Sequence, residues 1–157
     1  MIFCYSVTEK TKVYAEVLSE IVGQPVYMLE AEIGQKMGLG FMARALWLTI
    51  RGVPSPILNF PAADAFEEEI YVCCPVWGGY VAAPIRTLIE SEQIRGKKVN
   101  LLLTASASDI KYSRYAEQTL KDAGCVPGAI GVFATQQGYT PEREVAEEHI
   151  RSLLYES

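Results

Sequence analysis

No stretch of this chain is apolar for long enough to cross a bilayer, and no charged head, apolar run and cleavage site open it. Residues 2–5, Ile2-Phe3-Cys4-Tyr5, already have the composition of a strand, so the expectation is a cytoplasmic protein without a membrane partner. Basic residues are not in excess: the net charge of −5 argues against nucleic acid, whose phosphates recruit basic patches. The one basic cluster, RGKKV at 95–99, reads as the solvated entry to a strand. Histidine occurs once, at His149, and the four cysteines lack metal-ligand spacing, which excludes a zinc or iron–sulfur centre. Cys4, Cys73 and Cys74 sit in apolar runs and are expected to be buried, reduced thiols.

What is present is alternation. Short, nearly continuous apolar runs at 2–5, 25–29, 70–74, 99–105 and 129–135 read as strands covered on both faces, which is the pattern of a parallel sheet. Between them lie helical patterns at 11–22, 83–92 and 113–123, and a last helix from Thr140 as cap and Pro141 in first position to about Tyr155. His149 falls among Val145, Ala146, Ile150 and Leu153 and reads as a packed histidine. The 157 residues suit one domain spanning 1–157. Strand–helix alternation predicts an α/β three-layer sandwich, a five-stranded parallel sheet in order 2-1-3-4-5. In the stretch 32–64, MARALWLTI is helical and GVPSP ends it. GLGFMA at 38–43 imitates a dinucleotide turn, but EAEIGQKM before it is not strand-like, so the match is read as chance.

In such a sheet the ligand crevice lies at the carboxyl ends of the strands where strand order reverses, between the first and third. Three loops meet there: 6–11 (SVTEKT), 75–80 (PVWGGY) and 105–109 (ASASD). The first carries hydroxyls at Ser6, Thr8 and Thr11, a cation at Lys10, and opens into a helix whose N-terminus attracts anions. The second sets Trp77 beside Gly78 and Gly79, where a flat ligand can approach the backbone. The third offers N–H groups and serine hydroxyls to a carbonyl-rich edge. A phosphate, a flat ring and a carbonyl edge together describe flavin mononucleotide (FMN).

Over nearly its whole length the chain resembles the flavodoxin family. Ser6-Val7-Thr8-Glu9-Lys10-Thr11 stands where flavodoxins have T/S-x-T-G-x-T, and PVWGGYVAAPIRTLIESEQIRGKKVNLLLTASAS is similar to short bacterial flavodoxin-like proteins. The resemblance implies a flavodoxin-like fold and FMN as cofactor. Ser6, Val7, Thr8, Glu9, Lys10 and Thr11 would then bind its phosphate. Pro75, Val76, Trp77, Gly78 and Gly79 would line the isoalloxazine, and Ala105 and Ser106, with Ser108 nearby, its pyrimidine edge. It further implies electron transfer to a redox partner protein or small acceptor, with no side chain as acid, base or nucleophile. An FMN-dependent oxidoreductase activity fits the same residues.

Glu9 departs from the pattern by replacing glycine. Held near a phosphate, its carboxylate would cost on the order of 1–3 kcal/mol; turned outward, it would favour the helix N-terminus by less than about 1 kcal/mol. The alternative is a flavodoxin fold without flavin, an interaction module using an apolar face within 37–58. Other chemistries on similar sheets do not fit. Cys4 is followed at phosphatase spacing by Lys10 rather than arginine, and a receiver domain needs acids where Tyr5 and Pro75 stand.

Overall fold

Residues 1–33, 38–136 and 138–155 are described by a computed structural model of the chain. In order, β1 (Ile2–Cys4) leads to α1 (Glu9–Val22), β2 (Val26–Met28), α2 (Leu39–Arg51) and β3 (Glu69–Trp77). Then come β4 (Tyr80–Val81), α3 (Ala83–Ile89), β5 (Lys98–Ala105), α4 (Ile110–Asp122), β6 (Val126–Ala134) and α5 (Arg143–Tyr155).

The sheet runs β2-β1-β3-β5-β6, all parallel, with β4 pairing antiparallel to the end of β3. Leaving β4 aside, this is the expected order. Alternation along the strands sorts the core into two layers. Phe3, Val72, Cys74, Leu101 and Leu103 pack with buried residues of α2, α3 and α4. Ile2, Cys4, Cys73 and Leu102 pack with Tyr14 and Leu18 of α1 and Ala146 and Ile150 of α5. Cys73 and Cys74 therefore face opposite layers. At the outer edge of β2 the Asn59 side chain donates to the Met28 carbonyl (2.8 Å) and accepts from the Glu30 N–H (2.7 Å), laying a segment of chain along the open strand.

Several boundaries differ from expectation, three of them for a clear local reason. Strand β3 continues to Trp77 and returns at once as β4, because Gly78 and Gly79 (φ 57° and 93°) supply the two left-handed residues of a tight hairpin. Helix α4 begins at Ile110 rather than Ser113, since Asp109 caps it by accepting from the Lys111 N–H at 2.9 Å. Helix α5 begins at Arg143: the Glu142 carbonyl accepts the first bond, from Ala146 (3.1 Å), and leaves Thr140 and Pro141 outside. In GLGFMA, Gly38 directly precedes the first helical residue, Leu39, and the residues before it, 34–37, lie outside the described ones. No described helix is long and apolar enough to cross a membrane.

One buried polar side chain fixes an irregularity in the sheet. Between Val99 and Leu101 the β5–β6 ladder slips, so Gly128 and Ala129 together oppose Asn100. Asn100 fills the gap, its amide oxygen accepting from the Ala129 N–H (2.8 Å) and its amide nitrogen donating to Glu69 (2.9 Å). Lys98 first, and Asn100 second, hold the Glu69 carboxyl below its usual range by hydrogen bonding to the charged form.

Candidate functional site

The carboxyl ends of β1, β3, β5 and β6 form one connected rim. Tyr5, just past β1, donates its N–H to the Cys73 carbonyl (3.0 Å), and its ring meets Trp77 edge-on at 5.7 Å. Ala105, closing β5, accepts from both the N–H (2.7 Å) and the hydroxyl (3.2 Å) of Thr135, just past β6. Lys10 donates to the carbonyl of Gln136. The rim thus holds the three expected loops and a fourth, after β6, that sequence reasoning left out.

Within the first loop the residues take distinct roles. The Ser6 hydroxyl donates to the Thr8 carbonyl and closes the turn. Val7 packs partly buried against the core. Thr8 is the N-cap of α1 in extended conformation (φ −126°, ψ 164°), yet its side chain makes no capping bond. The first amides of a helix have no intrahelical partner, so those of α1 are not taken up by this cap. Glu9 is the first helical residue, and no residue other than glycine has positive φ among those described. Its carboxylate turns outward, 69 % exposed, and pairs with Lys12 at 3.3 Å. Thr11 leaves the group: its hydroxyl is buried against that of Thr104 at 2.7 Å, tying α1 to β5.

In the second loop, Pro75 and Val76 are ladder residues of β3. Trp77 is half-buried, its indole set edge-on between Tyr5 and Phe41 of α2, each 5.7 Å away. With Val76 and Gly78 it walls an apolar groove of about 360 Å³ whose other side is Leu39, Met42 and Leu46 of α2. Gly79 lies against Tyr112, whose ring would be 3.5 Å from a Cβ there, and Tyr80 stacks on Tyr115 at 5.0 Å. The hairpin is therefore held between α2 and α4. Tyr112 and Tyr115, three residues apart on one face of α4, were legible as an aromatic pair only once the hairpin was placed. In the third loop Ser106 is exposed, and Ser108 is within 3.4 Å of the Val132 carbonyl.

Nucleophiles and metal ligands are not gathered here. Burial raises the thiol of Cys73 and that of Cys4, and pushes Cys74 up to about 12, so none of the three is a thiolate at neutral pH. His149 lies on α5, bonded through Nδ1 to the Tyr14 hydroxyl (2.8 Å) and stacked on Phe133. Among the described residues no three His, Cys, Asp or Glu side chains are placed to hold a metal ion.

No protein-family model matches the chain, and no curated protein matches it in sequence. Solved structures do match. A protein of Bacteroides uniformis, provisionally described as a flavoprotein, is similar with a TM-score of 0.71 at 20 % identity, covering 96 % of each chain. A flavoprotein from Lactobacillus acidophilus in complex with FMN gives 0.65 at 22 % identity, over 83 % of this chain and 90 % of that one. Two-electron reduced flavodoxin of Megasphaera elsdenii gives 0.53 at 14 % identity, over 96 % and 99 %. Together with the strand order, these likenesses establish a flavodoxin-like α/β fold.

Proposed function

We propose that this chain binds FMN at the rim and serves as a flavodoxin-like electron-transfer protein of the cytoplasm. The observation that carries the reading is the start of α1. Its first-turn amides are left without a side-chain cap, and the one carboxylate beside them, Glu9, faces solvent and Lys12. A helix N-terminus in that state suits a phosphate.

The donor set fits the cofactor. Main-chain N–H groups of Glu9 and Lys10, with the Thr8 hydroxyl, would hold the phosphate, and Ser6 would keep the turn in shape. Lys10 would add positive charge, an ammonium having donors to spare beside the one given to Gln136. Pro75 to Gly79 would flank the isoalloxazine, and Ala105 and Ser106 would face its pyrimidine edge. Bound FMN supplies the redox chemistry, taking up and releasing electrons. The protein's own part is to bind, orient and shield. The thiols and His149 are committed to packing, so the reading assigns no proton transfer to them.

Titration with FMN tests this. Flavin fluorescence should quench to a 1:1 end point, and riboflavin, which lacks the phosphate, should bind at least about tenfold more weakly, equivalent to about 1.4 kcal/mol. Protein that leaves excess FMN unquenched sinks the proposal and leaves the fold with an interaction role. Glu9→Gly gives a second check. Because the carboxylate is turned away, FMN affinity should stay within about twofold, while lost helix propensity lowers Tm by about 2 °C. A tenfold tightening would mean that Glu9 repels the phosphate after all.

A further inference from the structure

A pair of buried hydroxyls joins the start of α1 to the middle of the sheet. Thr11 and Thr104 are 2 % and 4 % exposed, and their oxygens lie 2.7 Å apart. Around them α1 meets the sheet through apolar groups: Tyr14, Ala15, Val17 and Leu18 share a layer with Ile2, Cys4, Cys73 and Leu102. Such contacts are non-directional, so they hold a helix on a sheet without fixing how far along the sheet it starts. A hydrogen bond is directional, weakening steeply with distance and angle. Both hydroxyls are shut away from water, and the bond they make is with each other.

The two ends of the pair differ in what they can move. Thr104 lies in β5 with a ladder partner on each side, Pro75 in β3 and Phe133 in β6, so the sheet sets its place. It is level with Pro75 and directly precedes Ala105, two of the residues assigned to the flavin ring. Thr11 is the third residue of α1, and its N–H belongs to the first turn with those of Glu9 and Lys10. The pair therefore ties the amides assigned to the phosphate to the strands assigned to the ring. We infer that Thr104, acting through Thr11, is a positioning residue that sets the height of the first-turn amides of α1 relative to the tips of β3 and β5. The inference rests on the reading of the rim as an FMN site. FMN engages both halves of that site, which must be held to within about 0.5 Å for tight binding, whereas riboflavin engages the ring half alone.

Isosteric replacement tests it, read by flavin fluorescence titration and thermal unfolding. Thr104→Val keeps the shape and removes the hydroxyl; it should weaken FMN by about tenfold and leave riboflavin within about twofold. Its Tm should fall as well, because the Thr11 hydroxyl is left buried without a partner. Thr104→Ser keeps the hydroxyl and should hold FMN within about twofold of the parent. Thr11→Val combined with Thr104→Val removes both polar groups, a change close to neutral for stability. The Tm of this double variant should return towards that of the parent while FMN stays about tenfold weaker. That split separates positioning from plain support of the fold. The inference is overturned if Thr104→Val binds FMN as the parent does, if it weakens FMN and riboflavin equally, or if the double variant regains FMN affinity together with Tm. Each of these leaves the reading of the rim intact; a parent protein that leaves excess FMN unquenched overturns that reading and the inference with it.

Discussion

Thr8→Asp should weaken FMN by at least about a hundredfold, or about 2.7 kcal/mol, while leaving the fold more stable. Thr8 already has the extended backbone from which a cap side chain reaches the first-turn amides, but makes no such bond. Aspartate is a better cap than threonine and also favours the positive end of the helix, worth about 0.5–1 kcal/mol together. The amides it would occupy are those assigned to the phosphate. Its charge, about 5 Å from that group, adds roughly 3 kcal/mol of repulsion at an effective dielectric near 20. Binding and stability thus move in opposite directions, which general damage to the fold cannot mimic. Riboflavin should be little affected. Tm should rise by about 2 °C, and a folded variant that still binds FMN as tightly as the parent would place the phosphate elsewhere.

The largest stability effect is expected at Asn100. Asn100→Ala strips the Ala129 N–H of its partner, while the Glu69 oxygen that Asn100 also binds keeps Lys98 at 2.9 Å. An orphaned buried donor costs about 1–3 kcal/mol, and the lost volume adds to it, so urea unfolding should show a loss of about 2–3 kcal/mol. Gly128 supplies the control. A Cβ there would lie 2.3 Å from the Asn100 amide oxygen and 3.2 Å from the Val99 carbonyl oxygen, so Gly128→Ala is damaging alone and should cost clearly less, though not nothing, once Asn100 is alanine. Additive losses in the double variant would show that Asn100 and the slipped register are unrelated.

The sheet was legible because both of its faces are buried: Ile2 to Tyr5 and Val99 to Ala105 are buried throughout, and only Asn100 and Thr104 interrupt their apolar run. The order of the strands followed from alternation with helices. The hairpin β4 was not legible, since two glycines after Trp77 read equally well as room for a ligand and as a reversal of the chain. Among the first-loop hydroxyls, Thr11 could have been set apart. With Tyr14, Ala15 and Leu18 it follows the spacing of the buried face of α1, and that periodicity outranks its place in a phosphate-loop pattern. The orientation of Glu9 was open from sequence, because it depends on where the helix begins. One residue of difference separates a strained turn from an ordinary first turn.

The two cores between them sequester every sulfhydryl in the chain. A thiol-reactive dye added to intact protein thus meets nothing to label, and its incorporation counts excursions in which a layer parts from the sheet. Cys4 and Cys73 watch the α1–α5 side, and Cys74 and Cys125 the other. Four native atoms therefore form a stopwatch for the opening of each half, with no probe to be engineered.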